Sequence, residues 1–344
     1  MIPPNAPFAT QTLPYGEAAI AAAAALIRAG QPVAIPTETV YGLSADATDS
    51  AAVARIYEAK GRPSFNPLIV HVLDLAAAER LAMFDPVARA LAEAFWPGPL
   101  TLVLPLRAGA GIAAAVTAGL STIALRVPAH RAMRALIAAS GKPLAAPSAN
   151  ASGGISPTRA GHVVSSLDGR IALVVDDGAT AAGLESTIVA TAGGLKVLRP
   201  GPITAEALSP FSFPGEGRGP SEEHRLSGTA HDADMLATVP RPSPGKGKTI
   251  TAPGQLESHY APSKPLRLNA TSGAPDEYLI GFGAITGTIT LSPTADLAEA
   301  ASRLFAALHE ADASSSARIA IAPVPALGIG VAINDRLARA AYRE

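Results

Sequence analysis

A break in pattern constrains this chain more than any single motif. Up to residue 208, short apolar runs alternate with helix-like stretches. From 209 to 265 no apolar periodicity survives, and 9 of those residues are proline and 7 glycine. That is linker composition, too poor in apolar surface to build a packed layer. After Pro265 the alternation resumes. A chain divided in this way is expected to fold as two α/β units joined by a tether, with boundaries at 1–208, 209–265 and 266–344.

In the first unit residues 33–36, 67–72, 100–106, 121–127, 144–146, 171–175, 186–191 and 195–198 read as strands. Residues 50–59, 86–95, 131–139 and 158–166 read as helices, the first capped by Asp49 or Ser50. The alternation predicts a mixed sheet covered by helices. In the second unit 278–282, 288–291 and 319–322 read as strands, and 295–311 and 332–342 as helices.

Charge and cysteine content exclude several function classes. The 27 Lys and Arg against 28 Asp and Glu leave a net charge of −1, which rules out a polybasic binder but not a local basic cleft. Residues 1–205 carry 15 basic and 13 acidic side chains, the remainder 12 and 15. With no cysteine there is no disulfide, thiolate metal site or cysteine nucleophile. The apolar run 18–27 has about half the roughly 20 residues a membrane span needs. No Lys or Arg lies between Met1 and Arg28, so a signal peptide's charged start is missing. A soluble, cytoplasmic protein is the expectation.

Two phosphate-loop lookalikes fail. Gly247-Lys248-Thr249 ends like a P-loop, but the required earlier glycine is Pro242 and no strand leads in. Gly281-Phe282-Gly283 follows a strand, yet the third glycine of a dinucleotide fingerprint is Thr286; a tight turn is expected there. No zincin or serine-hydrolase motif is present.

Four loops carry chemistry. Pro36-Thr37-Glu38-Thr39-Val40-Tyr41-Gly42-Leu43 follows a strand, placing hydroxyls where open α/β sheets bind ligands, unless it is an ordinary Thr-rich turn. In Lys60-Gly61-Arg62-Pro63-Ser64-Phe65-Asn66-Pro67 a point charge and a planar fork flank a glycine. That suits a polyphosphate, and equally a solvated helix end. Residues 147–158, with Ser148, Asn150 and Ser156, form a hydroxyl- and glycine-rich strand-to-helix loop able to receive a phosphate or simply to cap a helix. The fourth is Glu185-Ser186-Thr187 with Leu198-Arg199-Pro200-Gly201. His71 and Arg126 are polar intrusions into apolar strands; such an arginine requires a carboxylate partner, from protein or ligand.

Taken in order, these motifs resemble the YrdC-like family of threonylcarbamoyl-AMP synthases over residues 13–208. The stretches at 252–262, 280–284, 291–301 and 332–341 resemble the longer, two-domain form. The resemblance implies a twisted mixed-sheet catalytic domain with a concave basic cleft, then a small Rossmann-like domain. It implies a nucleotidyltransferase that makes threonylcarbamoyl-adenylate and pyrophosphate from L-threonine, bicarbonate and ATP, with Mg²⁺ on the phosphates. The product serves threonylcarbamoyladenosine formation in tRNA, with the tRNA threonylcarbamoyl-transfer machinery as a further partner. Carried over by position, Lys60, Arg62, Ser148 and Asn150 match the signature tetrad. Lys60, Ser64, Thr122, Ser148, Ser156 and Arg199 fall on the ATP side. Thr37, His71, Arg126, Ala146 and Ser186 fall on the threonine side, with Arg126 suited to the carboxylate.

The linker segment 253–262 is expected to close over the cleft, with His259 or Tyr260 reaching the nucleotide. One departure is that residues 253–260 hold Glu257 and no Lys or Arg, where linkers of this family often carry basic residues. Two rival readings remain at this level. An RNA-binding or ribosome-associated module on the same fold is disfavoured by the small basic excess of residues 1–205. A hydrogenase-maturation carbamoyltransferase is disfavoured by the absence of cysteine.

Overall fold

The computed structural model describes residues 9–211 and 259–342, organised around two sheets. The larger contains β1 (Gln11–Pro14), β2 (Val33–Pro36), β3 (Tyr41–Asp46), β4 (Ile69–His71), β5 (Leu100–Pro105), β6 (Thr122–Arg126), β7 (Leu144–Ala145), β8 (Leu173–Asp176), β9 (Thr187–Ala190) and β10 (Lys196–Arg199). Their order across the sheet is β1-β8-β2-β3-β7-β4-β6-β5-β9-β10. Parallel pairs such as β4 with β6 alternate with antiparallel ones such as β2 with β3, so the sheet is mixed, as expected. The smaller sheet is wholly parallel: β11 (Leu266–Arg267), β12 (Glu277–Gly281), β13 (Ile289–Thr290) and β14 (Arg318–Ile321), in the order β11-β14-β12-β13.

Helices cover both faces of the large sheet. Val33 and Ile35 point to the side packed by helices Glu17–Arg28 and Arg131–Ser140, while Ala34 joins the core on the other face. On that second face lie helices Ser50–Lys60 and Pro86–Phe95, with Val53, Ile56 and Leu91 fully buried. Asp49 caps the first by accepting from the N–H groups of Ala51 and Ala52. A third core joins the two sheets. Val40, Ile155 and Leu184 of the first unit pack with Tyr260 of the linker and with Leu304 and Phe305 of the second unit. Helices Leu297–Ala313 and Gly330–Ala341 complete this layer.

Some elements differ from the sequence reading. Tyr41–Asp46, expected as loop, is a strand with all six residues buried. Both its faces are covered, so no polar alternation marks it. β1, β11, and helices Glu17–Arg28 and Leu75–Leu81 are likewise additions. The helix expected at 158–166 runs instead over Ala160–Leu167. Gly281-Phe282-Gly283 forms the turn out of β12, with Phe282 and Ile285 exchanging backbone hydrogen bonds. The lookalike at Gly247 and the stretch 253–258, including Glu257, lie outside the described residues. No helix among the described residues is long and apolar enough to cross a membrane.

Candidate active site

The four loops singled out above converge on one cavity of about 50 Å³. Thr37, Thr39 and Val40 come from the β2–β3 turn, Arg62 and Pro67 from the loop before β4, and Pro147 and Ser148 from the loop after β7. Glu185 and Ser186 precede β9, Arg199 ends β10, and His71 and Arg126 end β4 and β6. His259 and Tyr260 enter from the end of the linker, just before the second unit.

One wall is a chain of hydrogen bonds with a fixed direction. Arg126 Nη1 donates to Thr39 Oγ1 (2.9 Å), Thr39 Oγ1 lies 2.7 Å from Thr37 Oγ1, and Thr37 Oγ1 donates to the Val40 carbonyl (2.7 Å). Thr37 also accepts the Thr39 and Val40 N–H groups, so this turn is a hydroxyl-locked bend. Arg126 is buried and each of its nitrogens makes a hydrogen bond: beside the Nη1 bond, Nε donates to Gly98 O (3.1 Å) and Nη2 to Glu38 Oε1 (2.6 Å). The carboxylate partner that a strand arginine requires is supplied here by the protein's own Glu38, while Arg126 also lines the cavity. Burial alone would raise the Glu38 carboxyl; the Arg126 guanidinium outweighs it and holds the group below its ordinary 4.5. His71 stands in register with Arg126 on the neighbouring strand. Burial, then Arg126, pushes its pKa to about 3, leaving a neutral ring whose Nδ1 has no partner among the described residues. Ala146 lines the cavity through its backbone, its N–H donating to Ile69 O (3.0 Å).

The opposite wall is cationic. Arg199 donates through Nε and Nη2 to the Ser186 carbonyl (3.1 and 2.9 Å) and through Nη2 to its hydroxyl (3.2 Å). That hydroxyl also lies 2.8 Å from Thr101 Oγ1. Arg62 follows Gly61, whose left-handed φ of 59° ends the helix and turns the chain toward the cavity. Loss of solvent lowers Arg62 to about 10, so it remains a cation at neutral pH. Lys60 is buried behind this wall. Its Nζ donates to Ser148 O (2.6 Å) and to Asn150 O, tying the helix end to the 148–150 loop. Burial, then Arg62, pushes the Lys60 pKa well down.

Several assigned residues stand off the cavity. Lys60 braces the loop and is not among the residues that line the cavity. Asn150 closes its own turn, donating to Ala151 O and Gly154 O (2.8 Å each), with Oδ1 unpartnered. Ser156 is fully buried and donates to Glu185 Oε1 (2.5 Å). Ser64 is exposed in the loop after Arg62. Thr122 opens β6, at the opposite end of that strand from Arg126. Register nevertheless carries it toward Pro67, since Ala124 pairs with Ile69.

His259 and Tyr260 fill the middle. Tyr260 is 1% exposed, at φ 65°, its hydroxyl has no partner among the described residues, and its ring meets His259 edge-on at 4.0 Å. Burial, then Arg62 and Lys60, drives the His259 ring well below its ordinary value, so it too is neutral. A water needs about 10–15 Å³ of such space, so with this pair in place the 50 Å³ has room for about four waters.

A protein-held Mg²⁺ does not fit these residues. Glu185 lines the cavity and Glu38 stands behind Arg126, and each has both oxygens engaged: Glu38 with Arg126 and the Ala129 N–H, Glu185 with Ser156 and Arg336. Among the described residues no cluster of three His, Cys, Asp or Glu side chains is placed to hold a metal.

This geometry can be set beside known proteins. A family model described as Telomere recombination, the Sua5, YciO and YrdC group, matches residues 25–201. A second, described as Threonylcarbamoyl-AMP synthase, C-terminal domain, matches 228–342. The threonylcarbamoyl-AMP synthase of Bacillus subtilis (strain 168) is 40% identical, over 96% of this chain and 95% of the relative. The chain belongs to the threonylcarbamoyl-AMP synthase family. A synthase of Pyrococcus abyssi is 38% identical over 93% of this chain and 94% of its own length. The solved structure of P. abyssi Sua5 complexed with L-threonine matches with a TM-score of 0.78 and 36% identity, covering 96% of each chain.

Three residues at the site were given no role by sequence reasoning. Glu38 and Glu185 sat inside motifs read for their hydroxyls. Arg336 lies on helix Gly330–Ala341 among Ile333, Leu337 and Ala340, all buried. A charge on the apolar stripe of an amphipathic helix was the signal available.

Proposed function

We propose that this chain is a nucleotidyltransferase that joins L-threonine, bicarbonate and ATP into threonylcarbamoyl-adenylate and pyrophosphate, for threonylcarbamoyladenosine in tRNA. The observation that carries this reading is the meeting of two unlike walls in one cavity: hydroxyls and a neutral imidazole facing Arg62 and Arg199. Threonine's amine and bicarbonate form a carbamate with loss of water; a carbamate oxygen then attacks the α-phosphorus and pyrophosphate leaves. No protein nucleophile is needed, only positioning and neutralisation of charge. Arg62 and Arg199 face the polyphosphate, and Lys60 fixes the 148–150 loop against which it lies. Ser64 and Thr122, at the Pro67 end, extend that side. Thr37, His71, Ala146 and Ser186 shape the threonine side. Mg²⁺ enters on the phosphates, as part of the substrate. His259 and Tyr260 act as a lid that withdraws for the nucleotide and returns to keep water from the hydrolysable adenylate.

The test is product analysis. Pyrophosphate release and a threonylcarbamoyl-adenylate mass are expected only when L-threonine, bicarbonate and ATP are all supplied. Equal ATP breakdown with threonine or bicarbonate omitted refutes the assignment.

A further inference from the structure

We infer that Arg336, contributed by the C-terminal helix, is a positioning residue for the nucleotide half of the site. The inference rests on the synthase reading above. Arg336 is 0% exposed, and its guanidinium reaches three partners in different parts of the fold. Nε donates to Glu185 Oε2 (2.8 Å), Nη2 donates to Pro200 O (3.0 Å), and Cζ lies 5.1 Å from the centre of the Tyr260 ring. Its remaining nitrogen, Nη1, pairs with Asp335 on the same helix (2.6 Å).

Each of those partners adjoins a group assigned to ATP. Glu185 Oε1 accepts from Ser156, Pro200 follows Arg199, and Tyr260 lines the cavity itself. Glu185 poses the physical problem. It is a carboxylate in the wall of a cavity meant for polyphosphate, and an uncancelled negative charge there repels the ligand in a low-dielectric setting. Arg336 cancels that charge while leaving Oε1 free to hold Ser156. Burial would lower an arginine, but Tyr260, Glu185 and Asp335 together raise Arg336 above its ordinary value, so the cancelling charge is permanent.

A buried ion pair is a poor fastener, because desolvation consumes most of its attraction. The two units already adhere through Val40, Ile155 and Leu184. An arginine placed at the cavity wall is better explained by what it does to that wall. The second unit thereby completes the nucleotide side of a site built mainly by the first.

The experiment uses the full chain and compares KM for ATP with KM for threonine. Arg336→Gln leaves Glu185 buried and unpaired. It is expected to raise the ATP KM about ten-fold or more while the threonine KM stays within about two-fold. Adding Glu185→Gln removes the stranded charge but keeps an acceptor for Ser156; the ATP KM should then fall back to within about three-fold of the parent. Should Arg336→Gln fail to fold, Arg336→Lys keeps the charge without the fork, and an intermediate rise in the ATP KM alone is expected. An unchanged ATP KM, or equal rises in both KM values with no recovery in the double variant, overturns the inference and leaves Arg336 a domain fastener. A parent chain that forms no adenylate overturns the synthase reading and this inference with it; normal ATP dependence in an active variant overturns the inference alone.

Discussion

Tyr260→Phe tests the energetic balance of the lid. Burying a tyrosine removes about 150–250 Å² from water, worth about 4–6 kcal/mol at roughly 25 cal/mol per Å². Two features work against it. The backbone at φ 65° is a left-handed conformation that costs a non-glycine residue about 1–3 kcal/mol. The hydroxyl is buried without a partner among the described residues, at a cost of about 1–3 kcal/mol. The closed lid therefore exceeds its costs by only a few kcal/mol, which suits a segment that must leave for ATP. Removing the oxygen deletes the second cost and nothing else, so the phenylalanine variant should close more firmly than the parent. Converted at 1.4 kcal/mol per decade, opening falls about 5- to 150-fold. Hydrogen exchange without ligand reads this directly at Ala261, whose N–H donates to Gly153 O across the joint (2.8 Å). Slower exchange at Ala261, with undiminished thermal stability and a higher ATP KM, is expected. Unchanged or faster exchange would show that the hydroxyl carries no unmet hydrogen bond and that the balance is set elsewhere.

Arg126→Gln removes the guanidinium paired with Glu38, so threonine's carboxylate then meets an anion without its counter-charge. Its KM for threonine should rise about ten-fold or more with the ATP KM nearly constant, measured by initial rates. Glu38 is held below 4.5, so its contribution to stability is present above that value and is lost as pH falls through the lower folded value. Urea midpoints followed from about pH 6 to about pH 3 should fall steeply for the parent and less steeply for Glu38→Gln. Lys60→Met strips the donors from two loop carbonyls. It should cost about 2 kcal/mol of folding stability as well as activity, whereas a pure ligand contact would cost activity alone.

The sequence carried the periodic elements well. Pro86–Phe95 has the bounds expected of it, with Asp85 as cap and Pro86 at the first turn. It was silent on β3, because a strand buried on both faces has no alternation to read, and on β11, which is two residues long. At the site, motif order brought the right loops together but not the division of labour within them. Lys60 reads equally as a solvated helix end or a phosphate ligand; the structure makes it a brace between helix and loop, a role that exists only once residue 60 and residues 148–150 are neighbours. Arg126 was recognised as needing a carboxylate, but Glu38 lies in the β2–β3 turn and Arg126 at the end of β6, and only the folded sheet brings them together.

The third core has a practical consequence for anyone who would cut this chain in two. Val40, Ile155 and Leu184 are at most 6% exposed because the second unit covers them, and an added Cβ at Gly183 would lie 2.5 Å from Ser302 Cα. A fragment ending at 211 would carry those three side chains bare on one surface, as a greasy footprint shaped to a missing neighbour. Such a fragment would self-associate and precipitate as concentration rises. Recovering it as a well-behaved monomer would take polar replacements at all three positions, not a better choice of end point.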